Sequence, residues 1–200
     1  MESEIVMEKL TRQDLYSLER YSEMREEFRT RVMEHKRNRI VHVGPNATLY
    51  FEDRLTMQYQ IQEMLRVERI FESAGIEEEL GVYNPLIPDG GNWKATFMIE
   101  VPDEEQRRQK LALWKGIEDM VWVQVAGLEP VFAIADEDMV RANEAKTSAV
   151  HFMRFELTSD MASAAKNGAV ISMGVKHSLY TRQVDAVPDA TRQSLVADLD

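Results

Sequence analysis

Cysteine is absent from the 200 residues. That excludes disulfides, thiol catalysis, and zinc or iron sites held by thiolates. A surplus of positive charge is also missing: 24 Lys and Arg stand against 35 Asp and Glu, a formal net charge of −11. Nucleic acid and anionic membranes are therefore excluded as the main ligand, because binding to them rests on cationic groups that displace counterions. No apolar run reaches the roughly 18 residues that a bilayer-spanning helix needs. The opening Met1-Glu2-Ser3-Glu4-Ile5-Val6 is acidic and lacks the basic-then-apolar order of a signal peptide, so a cytoplasmic protein is expected. The familiar catalytic signatures are missing too. There is no glycine-rich dinucleotide fingerprint after a strand, no phosphate loop ending in Gly-Lys-Ser or Gly-Lys-Thr, no helical metalloprotease motif and no nucleophile elbow.

What remains is an ordinary soluble composition, 44% hydrophobic and 30% charged. A chain of this length buries roughly 70% of its unfolded surface and needs no covalent staples. Residues 1–10 read as a flexible tail and 11–200 as a single α+β domain. Thr11 takes an N-cap position, with Asp14 three residues on, and Leu15, Leu18, Tyr21, Phe28 and Val32 recur at helical spacing. The helix ends in His35-Lys36-Arg37-Asn38-Arg39, cations suited to the negative end of the helix dipole or to an anion. Short strands follow at 39–43 and 48–51 around the turn Gly44-Pro45-Asn46. A second long helix is expected from Asp53 to Ala74 with Gly75 as its C-cap, burying Met57, Ile61, Met64, Leu65 and Phe71, and Glu68 with them. Residues 76–93 contain a loop, Tyr83 to Trp93, with two prolines and two glycines.

The later part is mostly strands. Lys94 to Val101 is one, and Asp103 caps a helix that ends at Gly116. Residues 120–125 and 130–135 form a hairpin around Ala126-Gly127-Leu128-Glu129, and a short helix runs from Asp136 to about Lys146. Strands at 148–157 and 169–177 flank a helix at 159–166, and Pro188-Asp189 opens a last helix packing through Leu195, Val196 and Leu199. This order predicts α+β: an antiparallel or mixed sheet covered by helices, with a long N-terminal helix. That charged first helix either covers its own chain or pairs with a second copy, so a homodimer is expected.

The candidate chemistry lies in ionisable residues on apolar faces. Alternation places His151 with Met153, Phe155 and Leu157, His177 with Ile171, Met173 and Val175, and His42 with Ile40. With Glu68 on its helix stripe, Glu68, His151 and His177 form the candidate set for a divalent metal, joined by Glu63 and Arg154. The same residues could serve as an acid–base pair. The plainer alternative is that each histidine makes a structural hydrogen bond and that the carboxylates of the second helix pair with arginines. Trp114 and Trp122 fit core positions, and the 12 methionines read as core filler.

Three long phrases carry a resemblance: Thr48-Leu49-Tyr50-Phe51-Glu52-Asp53-Arg54 with its continuation from Tyr59 to Arg69, Tyr83-Asn84-Pro85-Leu86-Ile87-Pro88-Asp89-Gly90, and Val150 to Leu157. The chain resembles, over nearly its whole length, a bacterial domain-of-unknown-function family of about this size. The resemblance implies genes often encoded beside rubrerythrin-like diiron proteins and iron–sulfur oxidoreductases, and hence a setting of peroxide or redox stress. It supplies no catalytic residues. Two functions follow. The first is an accessory or interaction protein of such a system, with a rubrerythrin-like or iron–sulfur partner. The second is a small metal-binding protein or metal-dependent enzyme built on the Glu/His cluster.

Overall fold

The computed structural model describes residues 8–137 and 146–200. In chain order the elements are α1 (Leu18–Arg37), β1 (Ile40–His42), β2 (Ala47–Glu52), α2 (Arg54–Glu68), α3 (Ser73–Tyr83), β3 (Asn92–Ile99), α4 (Glu104–Leu113), β4 (Val121–Val125), β5 (Val131–Phe132), β6 (Ile134–Ala135), β7 (Val150–Glu156), α5 (Ser159–Lys166), β8 (Ile171–His177), β9 (Tyr180–Val184) and α6 (Asp189–Val196). The fold is α+β. Two antiparallel sheets run in the orders β1-β2-β3-β7-β6 and β5-β4-β8-β9.

Period-two burial builds the centre. Trp93, Ala95, Phe97 and Ile99 alternate inward along β3, as do Val121, Val123 and Val125 along β4. These faces meet in one apolar cluster that also takes Phe51, Phe155, Ile171 and Met173. Burying each such side chain contributes about 1.5–3 kcal/mol. The one polar atom of Trp93 is satisfied there: its Nε1–H donates to the Leu195 carbonyl at 2.9 Å. The expected 130–135 strand divides. Val131–Phe132 pairs with β4 in one sheet, and Ile134–Ala135 pairs with β7 in the other. The chain changes sheets at the buried Ala133.

The helical part departs from expectation in three places. Thr11 and Asp14 do form their capping box, but on a single 3-10 turn, Arg12–Asp14. The Tyr16 N–H donates to the buried Gln62 Oε1 at 2.6 Å, so the chain runs extended through Leu15, and α1 starts only after Ser17, whose side chain caps Arg20. Next, α2 stops at Glu68, because Arg69 takes the left-handed conformation (φ 55°) assigned to Gly75. Finally, a separate helix, α3, fills Ser73–Tyr83, where no element beyond the end of the second helix was expected. Two consequences touch the site: Glu68 is exposed at a helix end, and Phe71 leaves the core and is 70% exposed.

The apolar stripe of α1 is covered within the chain. Tyr21, Phe28 and Val32 pack with Leu55 and Tyr59 of α2, and the Tyr21 and Phe28 rings meet edge to face at 6.1 Å. Leu10 is buried and exchanges hydrogen bonds with the Asn84 amide (2.8 and 2.9 Å), so the packed body begins before Thr11. The helix expected from Asp136 to Lys146 falls on 138–145, which lie outside the described residues.

Candidate functional site

His151 sits on β7, opposite Phe97 of β3, and is 0% exposed. Its Nδ1 lies 2.5 Å from Asp136 Oδ2, and its Nε2 lies 2.9 Å from Thr147 Oγ1 and 3.0 Å from the Ser148 carbonyl. Asp136 follows β6 in a left-handed conformation (φ 49°). Its other carboxylate oxygen accepts from the Phe152 N–H at 2.9 Å, which holds it there. From the other side, Glu118 Oε2 accepts the Thr147 hydroxyl at 2.8 Å and stands 3.9 Å from His151 Nε2. Burial and the nearby Glu118 push the neighbouring Asp119 above the usual carboxylate range.

Threonine, histidine and aspartate in this order have the spacing of a nucleophile, a base and its orienter. Two facts close that route. The Thr147 hydroxyl has one hydrogen, and Glu118 takes it, so Nε2 meets a hydroxyl already used as a donor. Thr147 is 1% and His151 0% exposed, so neither the hydroxyl nor the imidazole is open to solvent. What the arrangement does is join β7, the end of β6 and the turn before β4 through polar contacts at both imidazole nitrogens and at the Thr147 hydroxyl.

The other sequence candidates lie elsewhere. His177 ends β8 in the second sheet, where its Nδ1 accepts from the Leu179 N–H at 3.2 Å and its Nε2 faces the Lys115 carbonyl at 3.3 Å. Glu68 closes α2 at the surface, near Glu79 of α3, which burial and the Glu68 charge push upward. His42 is exposed and bonds Thr48 at 3.0 Å. Glu63 holds Arg25 of α1 through 2.7 and 2.8 Å bonds and accepts from the Tyr21 hydroxyl at 2.7 Å. The Arg25 bonds draw its carboxyl down to about 2. Arg154 pairs with Glu137 and Glu156. Among the described residues, no three His, Asp or Glu gather as ligands for a metal ion.

Sequence reasoning missed a second buried cluster. Arg39, read as a helix-end cation, is 2% exposed. It donates to the carbonyls of Phe51, Glu52 and Ser194 at 3.0–3.1 Å, pairs with Asp198, and lies 3.4 Å from Asp53, which His35 also contacts. This clasp ties the end of β2 to the turn after α6. Burial pushes the Asp198 carboxyl up to about 6, against the pull of Arg39. Burial also raises Asp53, but the His35 bond and Arg39 outweigh it and hold that group low. The only signal was a basic residue directly before a short apolar strand, and nothing in local spacing connects it to Asp198, 159 residues later.

The surface offers a different opportunity. An apolar groove of about 210 Å³ runs between the chain entering α1 and the α2–α3 corner, lined by Leu15, Leu18, Leu65, Ile70 and Phe71. Val67 and Val82 on the same helices are also exposed, at 64% and 59%. Glu68, Glu72, Glu77, Glu78 and Glu79 belong to this corner, against Arg66 and Arg69.

The family described as "Protein of unknown function (DUF3501)" matches residues 9–199. A crystal structure titled as a novel protein of unknown function from Burkholderia pseudomallei K96243 is 47% identical, with a TM-score of 0.92 over 96% of this chain and 100% of that one. None of the curated proteins matches.

Proposed function

This chain belongs to the DUF3501 family of unknown function, and we propose that it is an accessory protein that works by docking and performs no catalysis of its own. The observation that carries this reading is Phe71, a large apolar side chain 70% exposed beside an apolar groove, while the best acid–base set of the chain is shut inside. An exposed aromatic beside a pocket is the usual anchor of a protein interface. Arg12 is the one charged residue lining the groove, and the surplus of glutamates on the adjoining α2–α3 corner favours a partner with a basic rim and an apolar centre. In the redox-stress setting that the family resemblance implies, that partner is a rubrerythrin-like or iron–sulfur protein, which would supply the metal this cysteine-free chain has no thiolates to bind. Since α2 already covers the apolar stripe of α1, a homodimer would have to form through another face.

Size-exclusion chromatography with purified rubrerythrin-like and iron–sulfur proteins of the same cell tests the reading. A complex is expected with the wild type and with Glu68→Ala, and none with Phe71→Glu. Light scattering on the free protein reports whether two copies associate instead. The metal reading requires stoichiometric iron, zinc or manganese in tag-free protein, lost in His151→Ala and Glu68→Ala. Nothing in the geometry favours it, because its three ligands stand on β7, on β8 and at the end of α2.

A further inference from the structure

The second sheet turns Val121, Val123, Ile171, Met173 and Val175 into the core, so its other face looks outward. One register row crosses all four strands on that face: Phe132 of β5, Trp122 of β4, Gly174 of β8 and Gln183 of β9. Glycine leaves a gap in the row, and the Trp122 indole lies across it; a Cβ there would stand 2.6 Å from Cζ2 and 2.8 Å from Cε2. Here the face holds a cavity of about 430 Å³, twice the size of the groove at Phe71 and within the roughly 300–1,000 Å³ of small-molecule sites. Its walls are mostly apolar, with Trp122, Pro130 and the 44% exposed Phe132 among them. Lys176 is the one charged residue lining it.

The polar groups of this cavity divide into two sets. Gln124 donates to the Leu128 carbonyl at 2.7 Å, Gln183 to Asp185, and the Thr181 hydroxyl to the His177 carbonyl at 2.9 Å. The Lys176 ammonium and the Trp122 Nε1–H differ: among the described residues, neither has an acceptor. The chain has 35 acidic residues, yet none of those described lines this cavity to meet the lysine. What the site is short of is an anionic acceptor, set beside aromatic side chains. We propose that the cavity binds a small aromatic carboxylate, its ring against Trp122 and Phe132 and its carboxylate on Lys176. Ring-to-ring contacts favour an aromatic body over an aliphatic one of equal area. The ammonium is a compact charge with three rotatable donors, which suits one carboxylate. The proposal does not depend on the docking reading, because the Phe71 groove is built from the helical part of the chain.

The test is calorimetric titration of the full chain with 2-naphthoate and with its uncharged counterpart, 2-naphthamide, at neutral pH and low salt. The wild type is expected to bind 2-naphthoate at one saturable site, severalfold more tightly than the amide. Lys176→Gln, a change at an exposed side chain, should bring the two probes to equal affinity, while Lys166→Gln on α5 leaves the preference intact. Phe132→Ser should weaken both probes together. No saturable binding of 2-naphthoate to the wild type, equal affinity for the two probes, or a preference that survives Lys176→Gln overturns the proposal.

Discussion

His151 Nδ1 and Asp136 Oδ2 stand 2.5 Å apart in a part of the molecule where the histidine has no solvent contact. Removing the imidazole takes the shared neighbour from two carboxylates, Asp136 and Glu118, whose side chains are only about a tenth exposed. Breaking such a set from one side costs roughly 3–5 kcal/mol. Denaturant unfolding of His151→Ala should show a loss of that size; a loss under about 1 kcal/mol, the range of an exposed pair, would contradict a bracing role.

Asp198 gives stability a pH dependence of unusual sign. Its folded value, about 6, lies above the ordinary 3.8, so the folded state holds the extra proton between these values and stability from this group falls as pH rises through that window. Asparagine removes the effect. The stability difference between Asp198→Asn and wild type should therefore move in the variant's favour by on the order of 2 kcal/mol from about pH 4 to about pH 6, read by urea unfolding at several pH values.

Glu63 behaves oppositely. Its value falls from 4.5 to about 2, chiefly through Arg25, so its contribution is full above 4.5 and is lost as pH drops toward 2. Arg25 is about a third exposed, which screens the pair, so Glu63→Gln should cost about 1 kcal/mol at neutral pH. Repeating the comparison in acid checks the assignment, since the difference between the two proteins should shrink there.

Gly174 is fixed by close approach. A Cβ at this position would lie 2.6 Å from Trp122 Cζ2 and 2.7 Å from the Arg182 carbonyl oxygen, and the backbone on β9 cannot turn aside as a side chain could. Gly174→Ala should cost about 1–3 kcal/mol by overpacking, visible in thermal unfolding and as a change in Trp122 fluorescence. An unchanged melting temperature would show that the β8–β9 pair yields more easily than its geometry suggests.

How much was legible in the sequence follows from how local each signal is. The inward faces of β7 and β8, with His151 and His177 on them, were readable because side chains alternate along any strand. The break after Glu68 was not, because an arginine took a left-handed conformation usually reserved for glycine or asparagine. That error put Glu68 and Phe71 in the core and hid both α3 and the groove beside it. Trp122 was misplaced for a related reason: β4 alternates correctly, but its tryptophan lies on the face opposite Val121 and Val123, half exposed over Gly174. Convergence was beyond reach, since Arg39 meets Asp198, and His151 meets Asp136 and Glu118, only through pairings between distant segments.

On the docking proposal, the exposed face at Phe71 does the work and the buried His151 set does not. The most direct measurement places a photoreactive phenylalanine analogue at position 71 in the living cell and irradiates it. A discrete adduct with an iron–sulfur or diiron protein is expected, still formed when Asp136→Asn is added and absent when the analogue is moved to the exposed Leu179, in the β8–β9 turn of the second sheet. No adduct at position 71, together with a stoichiometric metal in the purified chain that leaves in His151→Ala, would contradict it.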